Sequence, residues 1–188
     1  MMKNTKLQDL TVSAVFLALL IVLAVIPGIP LGPIPVPIVV QNLGIMLVAI
    51  LLGAKRGTLV IATLLVMVLL GLPVLAGGRG GFAVLIGPSA GYLLGYLLMP
   101  AGYVLLQNFL RPLLGHWSFL LNFFSIWLAN MILCYGFGVL WLHLTVKTPF
   151  MTALWTNLVM FTPGDLVKAF VAVVLAAAIS RLSWWQKN

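Results

Sequence analysis

The densest chemistry in this sequence lies in residues 161–170, Phe-Thr-Pro-Gly-Asp-Leu-Val-Lys-Ala-Phe, which hold the only acidic residue beyond Asp9 and a lysine three positions later. Three residues is close to one helical turn, so Asp165 and Lys168 can share one helix face. Burying either charge in apolar surroundings is costly unless it is paired, hydrogen-bonded or turned to a polar cavity. One reading is an ion pair that only locks helix ends, which adds little net stability. The other is a ligand site. A cation in the first turns of a helix opposes the helix dipole, so Lys168 gains from an anionic or polar partner.

Arg79 is the next candidate, set in Ala76-Gly77-Gly78-Arg79-Gly80-Gly81. Glycines let backbone approach a partner or ligand closely, so Arg79 is either an interfacial charge or part of a loop built around something. The run lacks the Lys-Ser/Thr of a phosphate-binding loop, which excludes ATP binding there. Gln41 and Asn42 follow a proline-rich stretch, and amides in an apolar helix need partners. They either join helices or point into a cavity. Asn122 and Asn130 are expected to hydrogen-bond between helices. Cys134 is the only cysteine, which excludes an intrachain disulfide; it reads as packing. His116 and His143 are far apart, so a histidine metal site is not expected.

The elements that must position these groups follow from composition. Of 188 residues, 63% are hydrophobic and 6% charged, with a mean hydropathy of +1.23, where a soluble domain carries roughly 25% charged residues. The chain therefore reads as an all-α polytopic membrane protein, one domain over residues 1–188. The net charge of +8 is spread singly between apolar spans, which argues for membrane topology and against nucleic acid. Six transmembrane helices are expected. They run over 10–26, 39–52, 57–72, from 89 or 92 to 106, over 119–142, and from a start at 162–165 through 180. The first is read as an uncleaved span, not a signal peptide. Residues 148–161 read as a surface or re-entrant segment, and Pro163 suits a first-turn position. Residues 27–37 contain five prolines and cannot form a regular helix; being apolar, they read as a cover over the bundle. Gly87, Ala90 or Gly91, and Gly95 are spaced for close helix packing, and Ala14 and Ala18 make a small-residue stripe on the first helix.

Six spans put both termini on one side. That side holds Lys3, Lys6, Lys55, Arg56, Arg111, Arg181 and Lys187, and the other holds Arg79 and Lys147. The bias makes both termini cytoplasmic. Asp165, Lys168, Arg79, Gln41 and the proline loop then gather at the outer ends of the helices, around a cavity open to the outside and covered by Pro/Gly-rich loops.

Several blocks, in order, resemble one family across nearly the whole chain. They are Pro33-Ile34-Pro35-Val36-Pro37 with Gln41-Asn42-Leu43-Gly44; Leu72-Pro73-Val74 with the glycine–arginine loop; residues 87–95, Gly-Pro-Ser-Ala-Gly-Tyr-Leu-Leu-Gly; and residues 163–168, Pro-Gly-Asp-Leu-Val-Lys. The chain resembles the BioY family, the biotin-specific substrate-binding component of energy-coupling factor (ECF) transporters. Ser89 and Ala90 stand where that family usually has Thr and Gly. The resemblance implies a cell-membrane protein that captures biotin from outside and works with a transmembrane coupling protein and two cytoplasmic ATPases. It implies no enzyme activity and no cofactor. By the same resemblance Gln41, Gly78, Arg79, Tyr92, Asp165 and Lys168 belong to the biotin site, and Ala14 and Ala18 dock on the coupling protein. Other readings are a substrate component for thiamine or riboflavin, an intramembrane enzyme, and a structural or assembly protein.

Overall fold

In lipid a chain must satisfy its own backbone hydrogen bonds, which leaves helices as the way across for a sequence like this one. The computed structural model describes residues 5–30 and 36–181. Residues 31–35 of the proline-rich stretch, with Lys3 and Lys187, lie outside the described residues. The elements in order are α1 (Thr5–Ala24), α2 (Gln41–Leu69), a short α3 (Phe82–Ile86), α4 (Ala90–Leu114), α5 (Ser118–Ala129), a π-helical segment (Asn130–Tyr135), α6 (Gly136–Thr145) and α7 (Phe150–Ser180). Among the described residues there is no sheet, only two isolated antiparallel bridges.

Five helices among the described residues, not the six expected, are long and apolar enough to cross a membrane: α1, α2, α4, the continuous run Ser118–Thr145, and α7. The difference arises in α2, which takes in the expected spans 39–52 and 57–72 as one element. It is broken at Gly53, with φ 67° and ψ −169°, a backbone region occupied almost only by glycine. Past this break the chain turns back on itself. A Cβ on Gly57 would lie 3.4 Å from the Val48 carbonyl oxygen, whereas a straight helix would separate the two residues by about 13 Å. Gln41, at the start of α2, likewise bonds the carbonyl of Val74 just beyond its end, at 2.9 Å.

A second correction concerns the last helix. Residues 148–161 are not a separate surface or re-entrant segment; from Phe150 they are the first part of α7, and Pro163 sits in the helix interior. Proline disfavours helix in the residue before it, which is why the sequence suggests a start there. Membrane helices tolerate such a proline because neighbouring helices re-satisfy the freed backbone groups. The continuity has a consequence for the site. Ala153, Asn157, Phe161, Asp165 and Ala169 are buried at intervals of four and form one inward stripe.

Two close approaches hold the centre. A Cβ on Gly91 would collide with the Phe137 carbonyl, and one on Gly95 would lie 2.6 Å from Cys134 Cα. The expected small-residue face thus brings α4 backbone-to-backbone against the π segment and α6. Fully buried Ile45, Met46, Ile61, Leu64, Met99, Ile126 and Leu142 fill the space between helices.

Candidate ligand-binding site

One end of the bundle contains a hollow of about 610 Å³, its open mouth included. Its walls come from α2 (Gln41, Asn42), α4 (Tyr92, Leu93, Tyr96), the π segment (Asn130, Cys134, Tyr135) and α7 (Phe161, Asp165, Lys168). Two loops complete it. Residues 36–39 line one side, fixed by paired Ile29–Ile38 backbone bonds of 2.8 and 2.9 Å. Leu75, Ala76 and Arg79 line another. The loop carrying Arg79 is a tight turn closed by Leu75–Arg79 backbone bonds of 2.9 and 3.0 Å, with Gly77 and Gly78 at φ 75° and 70°. Positive φ at successive positions is what glycine allows.

Asp165 is the hub of the deep end. It is 3% exposed, and four side-chain donors meet its carboxylate. Lys168 Nζ lies 2.9 Å and Asn42 Nδ2 3.4 Å from Oδ1, while Asn130 Nδ2 lies 2.7 Å and Tyr135 Oη 2.8 Å from Oδ2. An ionised carboxylate buried at this depth requires such partners. The π segment makes the arrangement possible. In an α-helix, residues five apart point about 140° away from each other, yet Asn130 and Tyr135 both reach Asp165. Wider π turns are frequent at functional sites for this kind of reason.

The expected site residues fall into groups. Asp165 and Lys168 pair as the spacing implies, on the cavity wall. Lys168 keeps 13% side-chain exposure. Of its three N–H donors, one contact, to Asp165, is made. Arg79 lines the hollow, donates from Nε to the Ala76 carbonyl at 3.2 Å, and pairs with neither Asp9 nor Asp165, the chain's two acidic residues. Tyr92 packs its ring on Phe161, with centroids 6.1 Å apart, and donates its hydroxyl to Asn157. Gly138 leaves room for that ring, since a Cβ there would collide with it. Gln41 borders the hollow, but its amide is taken up by backbone. Nε2 donates to Leu20 and Val74 carbonyls at 3.0 and 2.9 Å, and Oε1 accepts from Ala76 N at 3.2 Å. It ties α1 to the loop that carries Arg79. Gly78 shapes that loop without lining the hollow. Ala14 and Ala18 are elsewhere, on an exposed face of α1 beside Val15 and Val22, which are 61% and 64% exposed.

Residues outside the expected set also line the hollow: Asn42, Tyr96, Asn130, Cys134, Tyr135 and Phe161. Phe161 stands four before Asp165, a helical interval hidden in the sequence by a helix start placed at Pro163. Tyr135 could not be found by α-helical period, because the period changes within its own turn. Among the described residues there is no group of three or more His, Cys, Asp or Glu that could hold a metal.

Fold and hollow together define a polytopic membrane protein with a loop-covered internal cavity, lined mainly by apolar and aromatic groups and carrying a few convergent polar ones, the pattern of small-molecule sites. The chain belongs to the BioY family, whose sequence model matches residues 1–183. It is 40% identical over 189 residues to the biotin transporter BioY of Lactococcus lactis subsp. cremoris, covering 96% of this chain and 95% of that one. Against the biotin transporter BioY of Rhizobium etli it is 39% identical over 177 residues, with 92% of each covered. Among solved structures it matches an S-component for biotin from an ECF-type ABC transporter with TM-score 0.88 and 38% identity, over 97% of this chain and 96% of the other.

Proposed function

We propose that this chain captures biotin in the hollow and serves as the substrate-binding component of an ECF-type transporter, as a single unit over residues 1–188. The observation that carries this reading is the charge balance of the loop-covered cavity. Lys168 and Arg79 face one carboxylate, Asp165, which is already met by four donors. Positive charge and unused N–H groups remain for a ligand's oxygens. Biotin offers matching chemistry: a ring urea with two N–H donors and a carbonyl, an apolar bicyclic body, and a carboxylate tail. Tyr92, Tyr96 and Phe161 supply aromatic surface for the body. Asp165 acts mainly by orienting Lys168, while Gln41 and Gly78 hold the loop that presents Arg79. The chain binds its substrate without transforming it, and uphill movement draws on ATP hydrolysed by partner subunits.

The two arms of α2 act as separate crossings in this reading, giving six passes with both termini cytoplasmic and the hollow opening outside the cell membrane. The turn at Gly53 supports it, as does the side shared by Lys6, Lys55, Arg56, Arg111 and Arg181. The exposed face of α1 around Ala14 and Ala18 would dock on the transmembrane coupling protein, since small residues let helices approach closely.

Mass spectrometry of ligand retained through purification tests the substrate, with thiamine and riboflavin as competitors in calorimetry. Lys168→Ala should weaken biotin binding about 10- to 100-fold, the worth of a hydrogen bond to a charged group, and Asp165→Asn should weaken it too. Ala14→Trp and Ala18→Trp should leave equilibrium binding intact and abolish assembly and uptake. Equal loss of binding in all four variants would overturn this division. A purified protein that binds no small molecule would point to a structural or assembly role.

A further inference from the structure

Asn42 is 5% exposed and lines the hollow. Its amide nitrogen faces two oxygens, Asn130 Oδ1 at 3.2 Å and Asp165 Oδ1 at 3.4 Å. These contacts fix which way the amide points. Turned over, Asn42 would set its own oxygen against two others. Asn130 cannot turn to relieve this, because its nitrogen donates to Asp165 Oδ2 at 2.7 Å. The side-chain oxygen of Asn42 is thus held in place, buried, with no hydrogen-bond partner. Every neighbouring buried amide oxygen differs: Gln41 Oε1 accepts from Ala76 N, Asn130 Oδ1 from Asn42, and Asn157 Oδ1 from Tyr92. An unmet buried acceptor costs about 1–3 kcal/mol, and a native structure that keeps one has a reason for it.

We infer that Asn42 is a specificity-determining residue whose side-chain oxygen accepts a hydrogen bond from one ring N–H of the bound urea. The inference rests on the biotin reading and deepens it. An acceptor held beside the Asp165 carboxylate repels an anionic group and suits an N–H donor. Lys168, in the same network, has N–H groups left to donate. One acceptor beside unused donors is the complement of a cyclic urea, which carries N–H and C=O on adjacent atoms. A site that hydrogen-bonds a ligand N–H rejects analogues lacking it far more strongly than an apolar pocket rejects an extra methylene.

Calorimetry with biotin and its two mono-N-methyl urea isomers tests this in wild-type protein and in Asn42→Ala and Asn42→Ser. Wild type should bind biotin and disfavour one isomer at least about 10-fold more than the other, as expected for losing one buried hydrogen bond. Asn42→Ala should weaken biotin binding by a similar factor and lose most of the preference between isomers; Asn42→Ser covers the case in which the alanine variant does not fold. The comparison of isomers on wild type needs no variant at all. If wild type binds biotin but treats the isomers alike, or if a folded Asn42 variant keeps the full preference, the assignment to Asn42 fails alone. If wild type binds no biotin, the ligand reading fails and this assignment goes with it.

Discussion

Two polar clusters border α4, a buried upper one near its start and a part-buried lower one midway along, roughly 16 Å apart along the helix from Tyr92 to Tyr103. The lower one is a neutral triangle. Tyr103 Oη donates to Asn122 Oδ1 at 2.7 Å, and Gln107 Nε2 reaches Asn122 Oδ1 at 2.9 Å and Tyr103 Oη at 3.1 Å. Its three members bond one another. A second hollow lies beside it, lined by Gln107, Asn108, Arg111 and Asn122 among others, yet none of its lining is a buried polar atom without a partner. The upper cluster around Asp165 is charged and saturated at its centre but incomplete at its edge, where Asn42 keeps a free acceptor and Lys168 and Arg79 keep free donors. Both clusters hold helices together. Of the two, only the upper one sets a buried acceptor without a partner beside cations that keep free donors, and that combination, more than polarity or hollow size, marks the place for a ligand.

The contrast can be broken most forcefully at its hub. Asp165→Ala strips the acceptor from four donors and leaves Lys168 unpaired, so a stability loss of about 3–5 kcal/mol is expected. Biotin binding should fall below detection; thermal unfolding alongside calorimetry reads both effects. Near-normal biotin affinity in that variant would mean that Asp165 does not organise the site.

Asn122→Ala makes the opposite case. It should cost about 1 kcal/mol, because the part-buried Tyr103 hydroxyl loses its acceptor while Gln107 Nε2 keeps Tyr103 Oη, with biotin affinity unchanged. A drop in affinity there would show that the lower cluster communicates with the upper one.

The finest comparison removes one phenol from each cluster. Tyr135→Phe and Tyr103→Phe should each destabilise by about 1 kcal/mol, as measured by denaturation. Tyr135→Phe alone should weaken biotin binding, by several-fold, because Tyr135 steadies the carboxylate that holds Lys168. Matching effects on affinity would erase that difference between the clusters.

Much of both clusters was legible from local spacing. Asp165 and Lys168 meet because they are three apart on a helix, Gly91 and Gly95 make their close contact because they are four apart, and Asn122 and Asn130 bridge helices as amides in apolar spans must. Legibility ended where local rules were overridden. Pro163 suggested a helix start and lies mid-helix, which concealed the stripe shared by Asn157, Phe161 and Asp165. The π segment changes the period under Asn130 and Tyr135. At Gly53 the helix breaks and turns back inside one element, so the five membrane-length helices do not correspond one to one with apolar runs in the sequence.

By itself the sequence determined the solvent and therefore the class of structure. A chain this apolar enters lipid, and a backbone in lipid must bond to itself. It determined as well which side chains could not stay there alone. Tertiary structure decided which of their hydrogen-bonding groups were met and which were left for a ligand, since that balance is struck between residues far apart in the chain. Asn42 meets Asn130 across 88 positions and Asp165 across 123, and no local pattern reports whether an oxygen so placed has found its proton.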